Sequence, residues 1–199
     1  MKFHRRAAGS PSRVAVFPGS FNPPTVAHLA LAEAALAQAG EVVFVLPEAF
    51  PHKDFAGVGF EGRLELLVRA AEHPRFTVAT TQGGLFLDMA RELRPFYAEA
   101  SLQFLCGRDA AERIVRWPYP EPGTLEQMFA EFGLLVAARA GHYEPPAGYS
   151  AAIETLEIER DYSHVSATEV RQLLQTQGDW ESLIPASIIS RVANLYRAA

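Results

Sequence analysis

The stretch that decides the fold is RVAVFPGSFNPPTVAH, residues 13–28. It begins as an apolar, β-prone run at Val14–Phe17 and passes through the polar turn Gly19–Asn22. Residues 24–39 are rich in alanine and leucine, which favours a helix. A strand, a glycine turn and a helix N-terminus together present backbone N–H groups and the positive end of a helix dipole. The stretch therefore predicts an anion site.

Thr25 and His28 supply the candidate chemistry of this turn. They lie three residues apart at the start of the predicted helix, so their side chains face the same patch. A hydroxyl and an imidazole beside an anion site indicate phosphate chemistry. The turn lacks the Gly-Lys-Ser/Thr of a Walker loop and the Gly-x-Gly-x-x-Gly of a dinucleotide fold. Taken alone, it is equally compatible with an ordinary strand-to-helix turn and a solvated histidine.

Composition and charge exclude several classes of partner. The 199 residues are 49% hydrophobic, which is enough for a globular core in one domain, 1–199. A net charge of −5 matches neither nucleic acid nor an anionic membrane, whereas a local cluster of donors suffices for a free nucleotide. The single cysteine, Cys106, is expected to be a buried, reduced thiol. We therefore expect a cytoplasmic protein.

The N-terminal residues are basic but have no apolar core. They lack the apolar run of a secretion signal, so we expect residues 1–12 to be a mobile tail. No apolar stretch approaches the roughly 20 residues that a membrane helix needs. Neither a heptad repeat nor an apolar surface stripe indicates an oligomeric state.

Apolar runs alternate with helical patterns along the chain. Strands are predicted at 14–18, 42–47, 76–80, 102–106, 134–138 and 153–158. Helices are predicted at 24–39, 60–73, 86–98, 109–116 and 124–132, and as two or three short ones within 166–199. This alternation predicts an α/β, Rossmann-like, doubly wound parallel sheet with a small C-terminal helical portion. Such sheets bind ligands outside the carboxyl ends of their strands, where the strand order reverses.

A second candidate anion site is VSATEVR, residues 165–171. Ser166 and Glu169 have the spacing of a capping box, which by itself predicts only a capped helix. The same helix N-terminus carries the Ser166 and Thr168 hydroxyls, with Arg171 in the next turn. That arrangement can also cradle a phosphate.

Together, GSFNPPTVAH at 19–28 and VSATEVR at 165–171 resemble the two signatures of the nucleotidyltransferase superfamily with the His/Thr-x-Gly-His motif. Within it, the chain is most similar to nicotinate and nicotinamide mononucleotide adenylyltransferases. The resemblance covers about residues 13–197, in the same order of elements. The further similar segments are PHK at 51–53, GRLELL at 62–67, FLCGRD at 104–109, Trp117 and VAARAG at 136–141.

The resemblance implies adenylyl transfer from ATP to nicotinate (or nicotinamide) mononucleotide, which forms a dinucleotide and pyrophosphate in NAD biosynthesis. The catalytic residues that it implies are His28, Thr25, Lys53 and Arg171. The ATP-binding residues that it implies are Gly19, Ser20, Phe21, Asn22, Thr25, His28, Gly107, Asp109, Ser166, Thr168 and Arg171. The acceptor-binding residues that it implies are Lys53, Thr81, Trp117 and Arg139. Mg²⁺ would accompany ATP, bound mostly by phosphates, and the histidines lack the spacing of a protein metal site.

The chain departs from the family's pattern at three places. Ala27 replaces the glycine of the first signature, and Ala167 replaces a serine of the second. The segment TTQGGLFLD at 80–88 lacks the Ser-Tyr-Thr-like group that contacts the pyridine substituent in the family. The choice between a nicotinate and a nicotinamide acceptor therefore stays open. Trp117 either stacks on the pyridine or anchors the proline-rich loop that follows it.

Two alternative functions remain. One is nucleotidyl transfer to another phosphorylated acceptor such as phosphopantetheine, or with CTP as donor. The other is a nucleotide-binding protein that has lost catalysis. The length and the Gly-Arg-Asp strand end favour the pyridine acceptor, and His28, Lys53 and Arg171 argue against loss of catalysis.

Overall fold

A computed structural model describes residues 1–49, 57–137, 143–158, 161–162 and 164–197 of the chain. Its strands are β1 (Lys2–Arg5), β2 (Arg13–Pro18), β3 (Glu41–Pro47), β4 (Phe76–Thr81), β5 (Ser101–Gly107), β6 (Gly133–Ala137) and β7 (Ile153–Leu156). Its helices are α1 (Val26–Ala35), α2 (Phe60–Ala70), α3 (Phe86–Leu93), α4 (Arg108–Arg116), α5 (Thr124–Glu131), α6 (Ala167–Thr176) and α7 (Ile189–Arg197). Two 3-10 turns, Glu181–Leu183 and Ala186–Ile188, precede α7.

The seven strands form one sheet in the order β1-β4-β3-β2-β5-β6-β7. Strands β2 to β7 pair in parallel, and β1 is antiparallel to β4. The chain builds the sheet outward from β2 through β3 and β4, and then returns to place β5 on the other side of β2. The strand order therefore reverses between β2 and β5, the position at which open α/β sheets bind ligands. The predicted α/β, doubly wound fold is confirmed.

Alternate residues of each strand supply two cores, one on each face of the sheet. Val14 and Val16 of β2 pack with residues of α3, α4 and α5, whereas Ala15 and Phe17 pack with residues of α1 and α2. This division follows from the twofold side-chain period of a strand. It explains why these strands read as continuous apolar runs in the sequence.

The C-terminal helices form a third cluster, packed on α2. Leu66 and Ala70 of α2 meet Val170 of α6 and Val192 of α7, and all four are buried. The prediction of short helices within 166–199 is confirmed for the part of that segment that the structure describes. This packing brings α6 and α7 to the same side of the sheet as α1.

The predicted mobile tail over residues 1–12 is wrong for Lys2–Arg5, which forms the edge strand β1. Phe3 packs edge-on against Phe96 at a ring separation of 4.8 Å, and the Arg6 guanidinium lies over both rings. A four-residue strand with one apolar side chain, Phe3, is too short for an apolar–polar alternation to predict it from sequence. The strand forms because β4 offers it an open edge.

The main boundary errors have local causes. The helix predicted over 24–39 starts later, because Thr25 is its N-cap. The helix predicted over 86–98 ends at Leu93, because Pro95 has no backbone N–H with which to continue the helical hydrogen bonds. The other predicted elements agree with the observed ones to within a few residues.

No helix among the described residues is long and apolar enough to cross a membrane. Cys106 is a free, buried thiol at the end of β5, as predicted. Burial raises the pKa of its thiol to about 12, so it stays protonated at neutral pH.

Candidate active site

The turn that follows β2 lies at the point where the strand order reverses. Gly19 donates its backbone N–H to the Val45 carbonyl of β3 (3.1 Å), which fixes where the turn leaves the sheet. On the other side of β2, β5 ends at Gly107, which is the N-cap of α4. The structure thus places the first signature and the Gly107 strand end at neighbouring positions on one edge of the sheet.

Thr25 and His28 form a reciprocal capping box at the start of α1. The Thr25 hydroxyl accepts the His28 backbone N–H, and the Thr25 backbone N–H donates to Nδ1 of His28 (3.0 Å). A ring nitrogen that accepts a hydrogen bond carries no proton, so the neutral imidazole has its hydrogen on Nε2. The cap therefore sets the histidine tautomer, and Nε2–H is the donor that the ring can offer to a phosphate.

Phe21 anchors the turn in the core. It is 1% exposed and lies edge-on to Phe17 and to His28, at ring separations of 5.6 and 5.2 Å. Its φ is 43°, a left-handed conformation that costs energy in a residue with a side chain. Core packing of the ring offsets that strain. Phe21 therefore holds the turn against the core, and its side chain does not face solvent.

We expect Gly19→Ala to destabilise the turn. A Cβ at Gly19 would lie 2.8 Å from Cζ of the Phe21 ring, which is buried and cannot swing aside. Overpacking of this kind costs about 1–3 kcal/mol, which thermal unfolding would show as a fall of several degrees. Gly83→Ala is the matched control, because a Cβ there meets nothing within 4 Å. Equal melting temperatures for the two variants would contradict the close packing of Gly19 on Phe21.

The second signature reaches the first through Arg171. Ser166 is the N-cap of α6, and its hydroxyl accepts the Glu169 backbone N–H (3.0 Å), one half of the predicted capping box. Nη1 of Arg171 donates to the Asn22 carbonyl (2.6 Å) and to the Ala167 carbonyl (3.1 Å). Asn22 and Arg171 are 149 residues apart in the sequence. The structure therefore brings the two candidate anion sites together.

Arg63 is a residue of this site to which the sequence analysis gave no role. Its side chain is 2% exposed, on the buried face of α2, and Nη1 donates to the Ser20 carbonyl (3.0 Å). Burial lowers the pKa of this guanidinium, since desolvation penalises its charge. The available signal was an arginine among the apolar positions of an amphipathic helix, where a charge needs a specific partner.

Asp109 and Trp117 lie at the two ends of α4. Asp109 is exposed in the first turn, and Trp117, 53% exposed, is the C-cap residue. They share an open cavity of about 420 Å³. The other residues that line it are Glu112, Arg113, Arg116 and Pro118. The ring of Trp117 is thus available for stacking, although it also begins the proline-rich loop.

The remaining predicted acceptor residues are placed differently. Thr81 is buried, and its hydroxyl donates to Oε1 of Glu92 (2.7 Å), so its proton is already used within the protein. In the departing segment, Phe86 stacks on Phe104 (4.5 Å) and Leu85 is 60% exposed. Lys53 and Arg139 lie outside the described residues.

The geometry can now be set beside known proteins. The sequence model of the cytidylyltransferase-like family matches residues 16–173, a span that contains both the Gly19–Asn22 turn and Arg171. The chain belongs to this family.

Relatives within the family are named for one activity. The chain is 25% identical over 205 residues to a probable nicotinate-nucleotide adenylyltransferase of Carboxydothermus hydrogenoformans, which covers 94% of this chain and 98% of the relative. It is 29% identical over 185 residues to one of Thermus thermophilus, with 88% and 94% covered. The nicotinic acid mononucleotide adenylyltransferase of Plasmodium falciparum, solved with NaAD, has the same fold (TM-score 0.67, 16% identity, 94% and 100% covered).

Proposed function

We propose that the chain transfers the adenylyl group of ATP to nicotinate mononucleotide, with release of pyrophosphate. The observation that carries the proposal is the 2.6 Å contact from Arg171 to the Asn22 carbonyl, which joins two phosphate signatures at the reversal of strand order. The names of the full-length relatives supply the acceptor. The enzyme is thus a nucleotidyltransferase of NAD biosynthesis.

The reaction needs positioned donors and no covalent enzyme intermediate. An oxygen of the acceptor phosphate attacks the α-phosphorus of ATP as the bond to the bridging oxygen of the β-phosphate breaks, and pyrophosphate leaves with the electron pair. Negative charge grows on the α-phosphate oxygens and on the leaving group during this step. His28 can stabilise the charge on the α-phosphate oxygens, because its tautomer offers Nε2–H as a donor beside the turn.

In this proposal the second signature binds the leaving pyrophosphate. The N-terminus of α6 offers backbone N–H groups, with the Thr168 hydroxyl and the Arg171 guanidinium beside it. In this proposal, backbone N–H groups of the turn beyond Gly19, whose own N–H donates to Val45, bind the same triphosphate from the other side. Lys53 stays a predicted point charge for the acceptor phosphate or the α-phosphate.

Mg²⁺ enters this proposal with ATP. Among the residues the structure describes, no three His, Cys, Asp or Glu side chains come together to hold a metal ion. Hydroxyls, N–H groups and guanidinium groups dominate the two signatures, and these bind phosphate in preference to metal. Mg²⁺ keeps water and phosphate oxygens as ligands, so it fits as part of the nucleotide, where it would neutralise phosphate charge.

In this proposal the acceptor binds near the carboxyl ends of β4 and β5, which flank the central strands β3 and β2. Trp117 offers the acceptor a stacking face, with Arg139 as a predicted further contact, while the Asp109 carboxylate in the same cavity stays the predicted partner of an ATP ribose hydroxyl. The segment at 82–88 presents Leu85, which is 60% exposed, where the family pattern has polar groups. A cytoplasmic location stays a prediction of the sequence.

A pyrophosphate-release assay with ATP or CTP against a panel of phosphorylated acceptors tests the proposal. We expect turnover with ATP and nicotinate mononucleotide, and less with the amide. Turnover only with phosphopantetheine, or only with CTP, would replace the pyridine acceptor or the donor nucleotide. Nucleotide binding without turnover on any acceptor would favour a protein that has lost catalysis.

A further inference from the structure

Four separate segments of the chain meet at Asn22. Its carbonyl accepts from Arg171 of α6, and its side-chain Oδ1 accepts from the hydroxyl of Tyr196 on α7 (2.5 Å). A Cβ at Gly57 would lie within 4 Å of all three of these side chains, so the Gly57 backbone packs against the cluster from the loop before α2. Its φ of +98° also suits glycine alone. Asn22 itself is 4% exposed.

Helix α7 holds Tyr196 rigidly. Val192, one turn before it, is fully buried in the C-terminal cluster. The Arg191 guanidinium donates to both carboxylate oxygens of Glu65 on α2, from Nη2 to Oε2 (2.7 Å) and from Nε to Oε1 (3.0 Å), a bidentate contact. The tyrosine ring therefore projects toward Asn22 from a helix that is fixed to α2 on two sides.

The Tyr196 hydroxyl acts as a donor. Burial raises its pKa, and the nearby positive charges of Arg171 and Arg63 only partly oppose this, so the group keeps its proton at neutral pH. Donation to Oδ1 fixes which end of the Asn22 amide faces the tyrosine. The amide NH₂ is then directed away from α7, and the backbone of the turn is held from a second direction.

We propose that Tyr196 is a positioning residue for ATP, which acts by holding Asn22 and thereby the Gly19–Asn22 turn. The inference rests on the proposed function of that turn as a triphosphate site. A phosphate-binding turn works through the placement of its N–H groups, and small displacements of such donors cost rate. Arg171 contacts both the Asn22 carbonyl and the Thr168 hydroxyl, so the position of Asn22 affects where its guanidinium lies. A second group that holds Asn22 therefore helps to hold the guanidinium. Tyr196 is that group.

The test compares Tyr196→Phe, which removes only the hydroxyl, with Tyr149→Phe. Tyr149 is the matched control, because its hydroxyl also donates to one side-chain oxygen, that of Glu126 (3.0 Å), on α5. The measurements are binding of a methylene-bridged ATP analogue by calorimetry, steady-state kinetics in both substrates, and thermal unfolding. We expect Tyr196→Phe to weaken analogue binding at least threefold and to lower kcat/KM for ATP roughly tenfold, the scale of one lost hydrogen bond.

The KM for the acceptor should stay close to that of the wild type, and the melting temperature should fall by no more than the few degrees that one lost hydrogen bond costs. Tyr149→Phe should leave analogue binding and kinetics unchanged. In Asn22→Ala, the further change Tyr196→Phe should have no added effect, because the two groups act through one contact. Unchanged analogue binding in Tyr196→Phe would overturn the inference. So would equal losses for both substrates that follow a fall in melting temperature, since these mark a purely structural role.

Failure of the proposed function has a different signature. A wild-type protein that turns over no acceptor would refute the transferase proposal. The tyrosine inference would then be decided by the analogue affinities of Tyr196→Phe and Tyr149→Phe alone.

Discussion

Replacing His28 by alanine should lower turnover about a hundredfold or more, with a smaller change in ATP affinity. The capping box leaves the imidazole hydrogen on Nε2, and in the proposed reaction this hydrogen is donated to the charge that grows on the α-phosphate. Loss of one such donor typically costs about 10²–10³ in kcat. Steady-state kinetics with ATP and nicotinate mononucleotide measure the first effect, and calorimetry with the methylene-bridged analogue measures the second.

Two further variants separate catalysis from helix capping. His28→Gln keeps a side chain that can complete a capping box at this position, so its melting temperature should exceed that of His28→Ala while its turnover stays low. His73→Ala is the control. Nδ1 of His73 also accepts a local backbone N–H, that of Arg75, but His73 lies before the amino end of β4, whereas the site lies at the carboxyl ends of the strands. This variant should keep full activity. Wild-type turnover in His28→Gln would refute the role given to the imidazole.

Arg171→Ala should reduce kcat/KM for ATP about a hundredfold. The change removes the guanidinium that the proposal assigns to the leaving pyrophosphate, and such charge-assisted contacts are among the strongest in a phosphate site. It also removes the 2.6 Å donor to the Asn22 carbonyl, so the melting temperature should fall by a few degrees. Pyrophosphate-release kinetics and thermal unfolding measure the two effects.

Two further variants show whether the lost activity of Arg171→Ala comes from the phosphate-binding guanidinium. Arg171→Lys keeps the charge but not the planar fork, so it should recover only part of the activity. Arg91→Ala is the control, because it also removes a hydrogen-bonded arginine, one of α3 that pairs with the Glu131 carboxylate at the protein surface. Surface pairs of this kind contribute little to stability, and activity should not change. If Arg171→Ala retains full kcat/KM for ATP, the second signature is only a capped helix.

Much of the fold could be read from the sequence, because its signals are local. The apolar runs that became β2 to β6 are continuous, since both faces of the sheet are covered. The helix ends were less well predicted, since the predicted ends at residues 39 and 98 lie four and five residues beyond the observed ends at Ala35 and Leu93. Strand β1 escaped detection, because it is short and forms only against an open edge supplied by β4.

The site could be predicted in part. Thr25, His28 and Ser166 were predictable, because capping boxes depend on spacing within one helical turn. Arg63 and Tyr196 received no role from the sequence, although both contact the phosphate turn. Neither belongs to a signature motif, and their partners lie far away along the chain. The acceptor segment was read as a departure from pattern, and the structure adds that Phe86 there packs on Phe104.

The sequence by itself determined the alternating α/β architecture, two helix N-termini fit for phosphate, and the family to which they belong. These properties rest on side-chain periodicity and on hydrogen bonds between residues a few positions apart. Only the tertiary structure decided that the two N-termini meet, through Arg171 and Asn22, and that Arg63 and Tyr196 hold the turn between them. Such contacts form when the sheet and the α2, α6 and α7 cluster bring distant segments together. A pattern of residues a few positions apart cannot predict such contacts.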